Sequence, residues 1–377
     1  MASRYLDHNA GTPLGAAARD AMIAVLSSGA FGNPSSIHTR GRAARELVEA
    51  ARRGVAALVG ATAEGVVFAA SGSEAIALGI VGLARRARRL DPARRCILVG
   101  ASEHPASLGA AESLRREDFD VVHVPVDPAG RIVLPAVDRS VAVVVAQLAN
   151  HETGVVQPIA ALASSARAVG ATLFCDAVQA AGKIPVELPA LGVSALALAA
   201  YKLYGPGGTG ALVLAEGHDI DPLVPGGHQE RGRRPGTESV TALVGFGAAA
   251  QEAKARLRED APRITALRDR LEVGLDRLGA TVFGRTHERL CNTTLLAFEG
   301  VAGHLLAIAL DLAGFEVSTG AACSSGSVKP SAVLLASGHP AEVARRAVRI
   351  SLGRDTTAAD IDALLDALPS LIARVRG

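Results

Sequence analysis

The chain has no tryptophan, and only 3% of its residues are aromatic. With 49% of residues hydrophobic, the core must be built from alanine, valine and leucine. No apolar run reaches the roughly 20 residues that a membrane-spanning helix needs. The first residues, Met1 to Asp7, carry no signal-peptide pattern. A soluble, cytoplasmic protein is expected. A dominant charge of one sign is missing too. Charged residues total 20% and the net charge is +2, so nothing points to nucleic acid or an anionic membrane as a partner. The group Arg85, Arg86, Arg88 and Arg89 sits on a predicted helix and reads as a solvated face.

Cysteine is scarce. The spacings between Cys96, Cys175, Cys291 and Cys323 match no metal-ligand motif, and no metal centre is expected. Cys96 and Cys175 lie in apolar, strand-like runs and read as core thiols. Cys323 differs: it lies in the Gly/Ser-rich stretch 318–327, where no apolar run encloses it. An exposed thiol is a liability unless it is used, which points to a functional cysteine.

Lysine is equally scarce: Lys183, Lys202, Lys254 and Lys329 are the four in the chain. Arginine cannot form an imine, whereas a desolvated lysine amine can. Lys202 follows the apolar run Ala195 to Ala200 and precedes a Gly/Pro turn. It is either a surface lysine beside that turn or a buried reactive amine. Upstream, Asp176 also ends an apolar run. An acid and a later lysine, each at a strand end, are what a pyridoxal phosphate (PLP) site needs. The lysine forms the Schiff base and the acid keeps the pyridine nitrogen protonated.

The 377 residues suffice for a large core and two domains. Helical spacing covers 15–28 and 39–59. Apolar strands then alternate with helices: strands at 66–68, 96–99, 121–124, 141–145, 172–175, 195–198 and 211–214. This predicts an α/β fold with a mainly parallel sheet covered by helices. After about residue 245 the composition shifts. Two long charged helical stretches run to Leu278, followed by strands at 293–298 and 347–352 and a final helix from about 357. The expected division is a large domain over 13–248 and a smaller α+β domain over 1–12 and 249–377, the latter carrying the Cys323 loop.

Three further stretches can carry chemistry. Ala70-Ser-Gly-Ser-Glu74 sits between a strand and a helix, where backbone N–H groups bind phosphate; Ser there is equally an ordinary N-cap. His104 follows a strand and faces either the ligand crevice or solvent. Arg349, inside an apolar strand, needs an anion, which is either a structural or a substrate carboxylate.

Taken together, the sequence resembles the cysteine desulfurases of the NifS/IscS type, PLP enzymes of the class V aminotransferase fold. The likeness runs over nearly the whole chain. It is carried by Tyr5-Leu-Asp-His-Asn-Ala10, the stretch 31–38, Glu103-His104, Glu152-Thr-Gly154, Asp176-Ala-Val-Gln179, Tyr201-Lys202-Leu-Tyr-Gly-Pro206, Gln229 to Thr237, Ser318 to Cys323 and Arg349-Ile-Ser-Leu-Gly353.

The resemblance implies a fold-type I PLP-dependent transferase. Lys202 would bind the cofactor covalently and move protons. Asp176 would pair with the pyridinium nitrogen, and Gln179 would bond the ring hydroxyl. His104 would stack on the ring and act as acid and base. Gly72 and Ser73 would hold the phosphate, and Thr237 would reach the phosphate of the partner in a homodimer. Arg349 would bind the carboxylate of L-cysteine. Cys323 would take the sulfur as a persulfide, leaving L-alanine, and pass it to an acceptor protein.

Four places depart from the family pattern. Ala199-Ala200-Tyr201 replaces Ser-Gly-His before the lysine, so two phosphate donors are lost and the Tyr201 hydroxyl is a candidate substitute. Asn150-His151-Glu152 replaces Asn-Asn-Glu, which puts Asn150 and His151 at the substrate and His151 also at the cofactor. Ser71-Gly72-Ser73-Glu74-Ala75 alters the phosphate loop, and Asn9-Ala-Gly-Thr12 alters the N-terminal motif. An alternative reading is therefore a C–S lyase of the same fold, acting on a cysteine S-conjugate or another amino acid without need of Cys323. A third is a non-enzymatic relative; Lys202, Asp176 and His104 together argue against it.

Overall fold

The computed structural model describes residues 3–29, 32–319 and 329–376. The expected catalytic Cys323 lies outside them. An N-terminal arm carries β1 (Arg4–Tyr5) and leads to α1 (Ala16–Ser27) and α2 (Thr39–Leu58). Next come β2 (Val66–Ala69), α3 (Gly72–Leu90), β3 (Cys96–Gly100), α4 (Pro105–Ser113), β4 (Asp120–Val124) and β5 (Val141–Gln147). The first half closes with α5 (Ile159–Ala168), β6 (Thr172–Asp176), α6 (Leu188–Leu191), β7 (Ala195–Ala199) and β8 (Gly210–Leu214).

Strands β2 to β8 form one seven-stranded sheet in the order β2-β8-β7-β6-β5-β3-β4. The neighbours from β7 through β4 are parallel, while β8 runs antiparallel to both β7 and β2. Every residue of β5, β7 and β8 is buried. That is what strands covered on both faces require, and it explains their unbroken apolar sequence. One face packs on α2, α5 and the start of the next long helix, the other on α3 and α4.

That long helix, α7 (Val240–Arg277), runs unbroken through Pro262, where the sequence suggested two stretches. Its first half buries Leu243, Phe246, Ala250 and Ala253 against the large core. Its second half buries Ile264, Leu267, Leu271 and Leu275 in a separate core. Burial at both ends overrides the helix-breaking tendency of an internal proline. Helices α2 and α7 cross closely because both are glycine at the contact. A Cβ on Gly247 would lie 2.6 Å from Ala51 Cα, and one on Gly54 would lie 2.9 Å from the Gly247 carbonyl oxygen.

The C-terminal part contains β9 (Thr281–Val282), β10 (Thr293–Ala297), α8 (Gly303–Leu312), β11 (Phe315–Glu316), β12 (Ser318–Thr319), α9 (Ala332–Ala336), α10 (Ala341–Ala344), β13 (Val348–Ser351) and α11 (Ala358–Arg376). Strands β12-β13-β10-β9 make an antiparallel sheet, and β1 pairs in parallel with β11. The arm thus joins the C-terminal part, with Leu6 buried in its core.

The arginines of α3 are not simply solvated. Arg85 binds Glu117 at 2.7 Å, Arg89 binds Asp221 at 2.8 Å, and Arg88 lies 4.2 Å from the Phe119 ring centre. Among the described residues, no helix is long and apolar enough to cross a membrane, and no group of three or more His, Cys, Asp or Glu could hold a metal ion.

Candidate active site

The parallel strands β3, β5, β6 and β7 end at one edge of the sheet. His104 follows β3, His151 follows β5, Asp176 is the last residue of β6, and Lys202 lies three residues beyond β7. Four segments far apart in sequence therefore deliver their polar groups to the carboxyl edge, where α/β sheets bind ligands. A cavity of about 410 Å³ opens there, lined by all four, by Gly72 and Ser73 at the start of α3, and by Gln179 and Tyr201.

The fold buries Lys202, which excludes a surface lysine beside the turn. Only 8% of it is exposed. Its ammonium donates to the backbone carbonyls of Asn9 and, at 2.7 Å, Ala10. Burial pulls its pKa from 10.5 to about 7, and the positive charge of Arg349 acts in the same direction. A sizeable unprotonated fraction is thus available near neutral pH. Asp176 is also buried. Its Oδ1 accepts from Val178 N–H at 2.9 Å, and burial raises its pKa to about 6, opposed by that bond and by Lys202. It is mostly ionised at neutral pH.

His104 caps α4: its Nδ1 accepts the Ala106 N–H at 3.1 Å. In the neutral ring the proton then sits on Nε2. Burial and the Lys202 charge lower its pKa, so neutral His104 offers the cavity a donor, not an acceptor. The His151 ring stands edge-on to it, centres 5.2 Å apart. Burial, then His104, Arg349 and Lys202, hold His151 well below the usual histidine range. Its Nδ1 has no hydrogen-bond partner among the described residues, and its Nε2 lies 3.8 Å from Glu152 Oε1.

The structure does not bring Asn150 into the cavity. Its amide is consumed in a turn: Oδ1 accepts from Glu152 N–H at 2.8 Å and Thr153 N–H at 2.9 Å, and Nδ2 donates to the Ser102 carbonyl at 3.1 Å. Asparagine is favoured at such positions because its side chain mimics a backbone turn. Arg349 is buried, and its Nη2 binds Asp7 Oδ1 at 2.7 Å while Nη1 donates to the His151 carbonyl at 2.9 Å. One anion it meets is thus a structural carboxylate within this chain, and Nε has no partner among the described residues. Thr237 is exposed and lines a different cavity with Glu230, Arg234 and Glu238. Its loop is tethered to α3 through Arg234 Nε and Glu74 Oε1, 2.8 Å apart.

Two residues without an expected role are central. Asn9 accepts from both Gln179 and Lys202 on its backbone oxygen, and from Lys183 and Asn292 on its side-chain oxygen. Lys183 bonds the Gln179 oxygen at 2.9 Å. The motif around Asn9 and the scarcity of lysine were visible signals; the contacts between them were not.

Among the groups the site could hold, PLP suits this donor set. A lysine amine with a depressed pKa faces one side and a carboxylate at the end of β6 the other. The first N–H groups of α3 have no intrahelical acceptor, and Ser71 Oγ already caps Glu74. Gly72 keeps that helix start tight against the strand, since a Cβ there would lie 2.9 Å from Ala199 Cβ.

Residues 4–364 match the family model of the class-V aminotransferases. The chain is 43% identical over 380 residues to a cysteine desulfurase of Cereibacter sphaeroides, covering 99% of this chain and 96% of the other. It is 37% identical over 383 residues to the cysteine desulfurase NifS of Azotobacter vinelandii, covering 100% and 94%. Among solved structures, a NifS-like protein superimposes with a TM-score of 0.89 at 32% identity, covering 98% of this chain and 99% of that one. The chain belongs to the class-V aminotransferase family, among its cysteine desulfurase members.

Proposed function

We propose that the protein is a PLP-dependent cysteine desulfurase that converts L-cysteine to L-alanine and takes the sulfur onto Cys323 as a persulfide for an acceptor protein. The convergence of Lys202, Asp176 and His104 on one cavity carries this reading. Full-length likeness to cysteine desulfurases supports it.

When bound, PLP supplies an electron sink that lets bonds at the amino acid's Cα and Cβ break. Lys202 is the amine that would hold its carbonyl carbon, and once released it can carry the Cα proton. Both tasks suit a pKa of about 7. Asp176 would hold the ring nitrogen's proton, and Gln179 would donate to the ring hydroxyl. Gly72 and Ser73 would bind the phosphate with their backbone N–H groups, with the Tyr201 hydroxyl as a further donor. His104 would cover the ring and donate from Nε2. His151, neutral, offers a second imidazole beside it.

Arg349 would bind the substrate carboxylate through Nε, the donor that neither Asp7 nor His151 occupies. In the sulfur step the Cys323 thiolate bonds the substrate sulfur and the Cβ–S bond breaks. Its electron pair stays on carbon, which takes up a proton. Cysteine and the enzyme thiol thus become alanine and the enzyme persulfide, with no outside oxidant.

The homodimer belongs to the same proposal. Thr237 lines a different cavity from the one holding Lys202 and Asp176, as a residue serving a partner's phosphate would. So do the cytoplasmic location and the division at residue 248. The separate cores of the seven-stranded and four-stranded sheets support a two-part division, with Ala250 and Ala253 still in the larger part.

The test is to load the purified protein with PLP, add L-cysteine and a reductant, and measure alanine and sulfide. Equal yields of both are expected, lost in Lys202→Ala. Cys323→Ser should bind cysteine but release no sulfur. Sulfur release by that variant at the wild-type rate would instead favour lyase chemistry.

A further inference from the structure

The mechanism above leaves one cation at the site unused. Lys183 does not line the cavity of Asp176 and His104; with Lys202 it lines a neighbouring one. There its ammonium donates to Gln179 Oε1 at 2.9 Å and to Asn9 Oδ1 at 3.0 Å. Asn9 is itself fixed. Its Oδ1 also accepts from Asn292 Nδ2 at 3.1 Å, and its Nδ2 donates to Thr293 Oγ1 at 2.9 Å.

A glutamine amide has two ends of nearly equal shape, so its orientation is set by its partners. Gln179 Nε2 donates one hydrogen to the Asn9 carbonyl at 2.9 Å. Its Oε1 faces the Lys183 ammonium. Turned over, the amide would set oxygen against a carbonyl and N–H against an ammonium. Both contacts repel. In the orientation observed, one N–H of Gln179 is left for the cavity that the residue lines.

We propose that Lys183 is a positioning residue: it locks the Gln179 amide so that the cavity meets an N–H donor and never the amide oxygen. The inference rests on the proposed function, in which that donor meets the cofactor's ring hydroxyl oxygen. The ammonium form gives the full lock, because it donates and cannot accept; the neutral amine also donates but can accept from a turned amide, and in that form the Asn9 carbonyl alone opposes the turn. Desolvation and the charge on Lys202 lower its pKa to about 7, so both forms occur near neutral pH. Without Lys183 the Gln179 oxygen would lack its donor, and nothing would oppose rotation of the amide except the Asn9 carbonyl.

The experiment compares dissociation constants for PLP and for 3-deoxypyridoxal 5′-phosphate, which lacks the ring hydroxyl. It uses the full-length protein, Lys183→Met, Gln179→Leu and the double variant, with folding checked by circular dichroism. The wild type should prefer PLP. Lys183→Met should lose about threefold to tenfold of that preference, the contribution of one hydrogen bond, with binding of the analogue nearly unchanged. The double variant should match Gln179→Leu, because Lys183 acts through that amide.

Equal weakening of both ligands by Lys183→Met, or an unchanged preference, overturns the proposal while leaving the functional reading intact. A wild type that binds no PLP, or shows no preference, overturns the reading itself and this proposal with it. Should Lys183→Met not fold, Lys183→Arg keeps a cationic donor and should retain the preference. Its loss in folded Lys183→Arg would equally overturn the assignment.

Discussion

Asp7 Oδ1 binds Arg349 Nη2 at 2.7 Å across 342 positions of sequence. The pair ties the N-terminal arm to β13, beside the bridge between Asp7 and Ser351. Arg349 is therefore already half-neutralised, and Asp7 helps set the charge felt by Lys202.

Asp7→Asn should expose both roles. Leaving the buried guanidinium without its carboxylate should cost about 1–3 kcal/mol, below the roughly 3–5 kcal/mol seen when fully buried pairs are broken, because Asp7 is partly exposed. Asp7 is also among the charges that raise the Lys202 pKa, so its removal lowers that pKa further. The rate of PLP loading, which needs the neutral amine, should then reach its plateau at lower pH than in the wild type. Denaturant titration and stopped-flow loading measure the two effects. A plateau shifted to higher pH would contradict the assignment.

Lys202 and Lys183 both have folded-state pKa values of about 7 against an ordinary 10.5. Between these values the unfolded chain holds protons that the folded chain has released, so stability rises with pH. Below 7 both states are protonated, and the burial cost is present in full. For the cofactor-free protein, Lys183→Met should flatten the rise between pH 7 and 8.5 by about 1–2 kcal/mol, at 1.36 kcal/mol per pKa unit for one group. Unfolding free energies at the two pH values, wild type against variant, decide it. Parallel curves would mean that Lys183 titrates normally.

His104 has two separable tasks. As N-cap of α4 its Nδ1 satisfies the Ala106 N–H, and as a cavity residue it offers Nε2. Asparagine is a good N-cap but cannot supply the ring. His104→Asn should thus hold stability within about 0.5 kcal/mol and lower kcat/KM by about 10²–10⁴. His104→Ala should lose both, with about 0.5–2 kcal/mol of stability gone. Equal stability of the two variants would remove the capping role.

Much of this was legible in sequence because it is local. Continuous apolar runs marked each strand of the central sheet, and Lys202 and Asp176 stood out by lying at strand ends. Strand direction was not legible: β8 is as apolar as β7, and nothing in an unbroken apolar run says which way it points. The single helix α7 was read as two charged stretches, and the burial of both halves in different cores is what shows it as one helix through Pro262. The partners of Arg349, Asn9 and Lys183 were missed for a related reason. These bonds join residues more than 100 positions apart, apart from Lys183 with Gln179, four apart. Asn150 misled because its position in a motif carries no information on whether its amide turns inward or closes a turn.

The pair Arg52 and Glu230 supplies the last prediction. Both are buried, at 3% and 5% exposure. They meet in a two-pronged ion pair, with Nη1 and Oε2 2.6 Å apart and Nη2 and Oε1 2.8 Å apart. Glu230 Oε2 also accepts the Phe68 N–H at 2.8 Å. Its backbone is left-handed, with φ of 48°, a conformation that costs a non-glycine residue about 1–2 kcal/mol. The carboxylate thus holds a strained loop, seven residues before Thr237, against the start of the central sheet. Glu230→Ala strands a buried guanidinium and should cost about 3–5 kcal/mol. Arg52→Met with Glu230→Leu removes both charges and should recover most of that. The Phe68 N–H then still lacks an acceptor, which keeps the double variant about 1–3 kcal/mol below wild type. Urea unfolding of the three proteins gives the order. A single variant within 0.5 kcal/mol of wild type would mean that the loop, not the ion pair, is what yields.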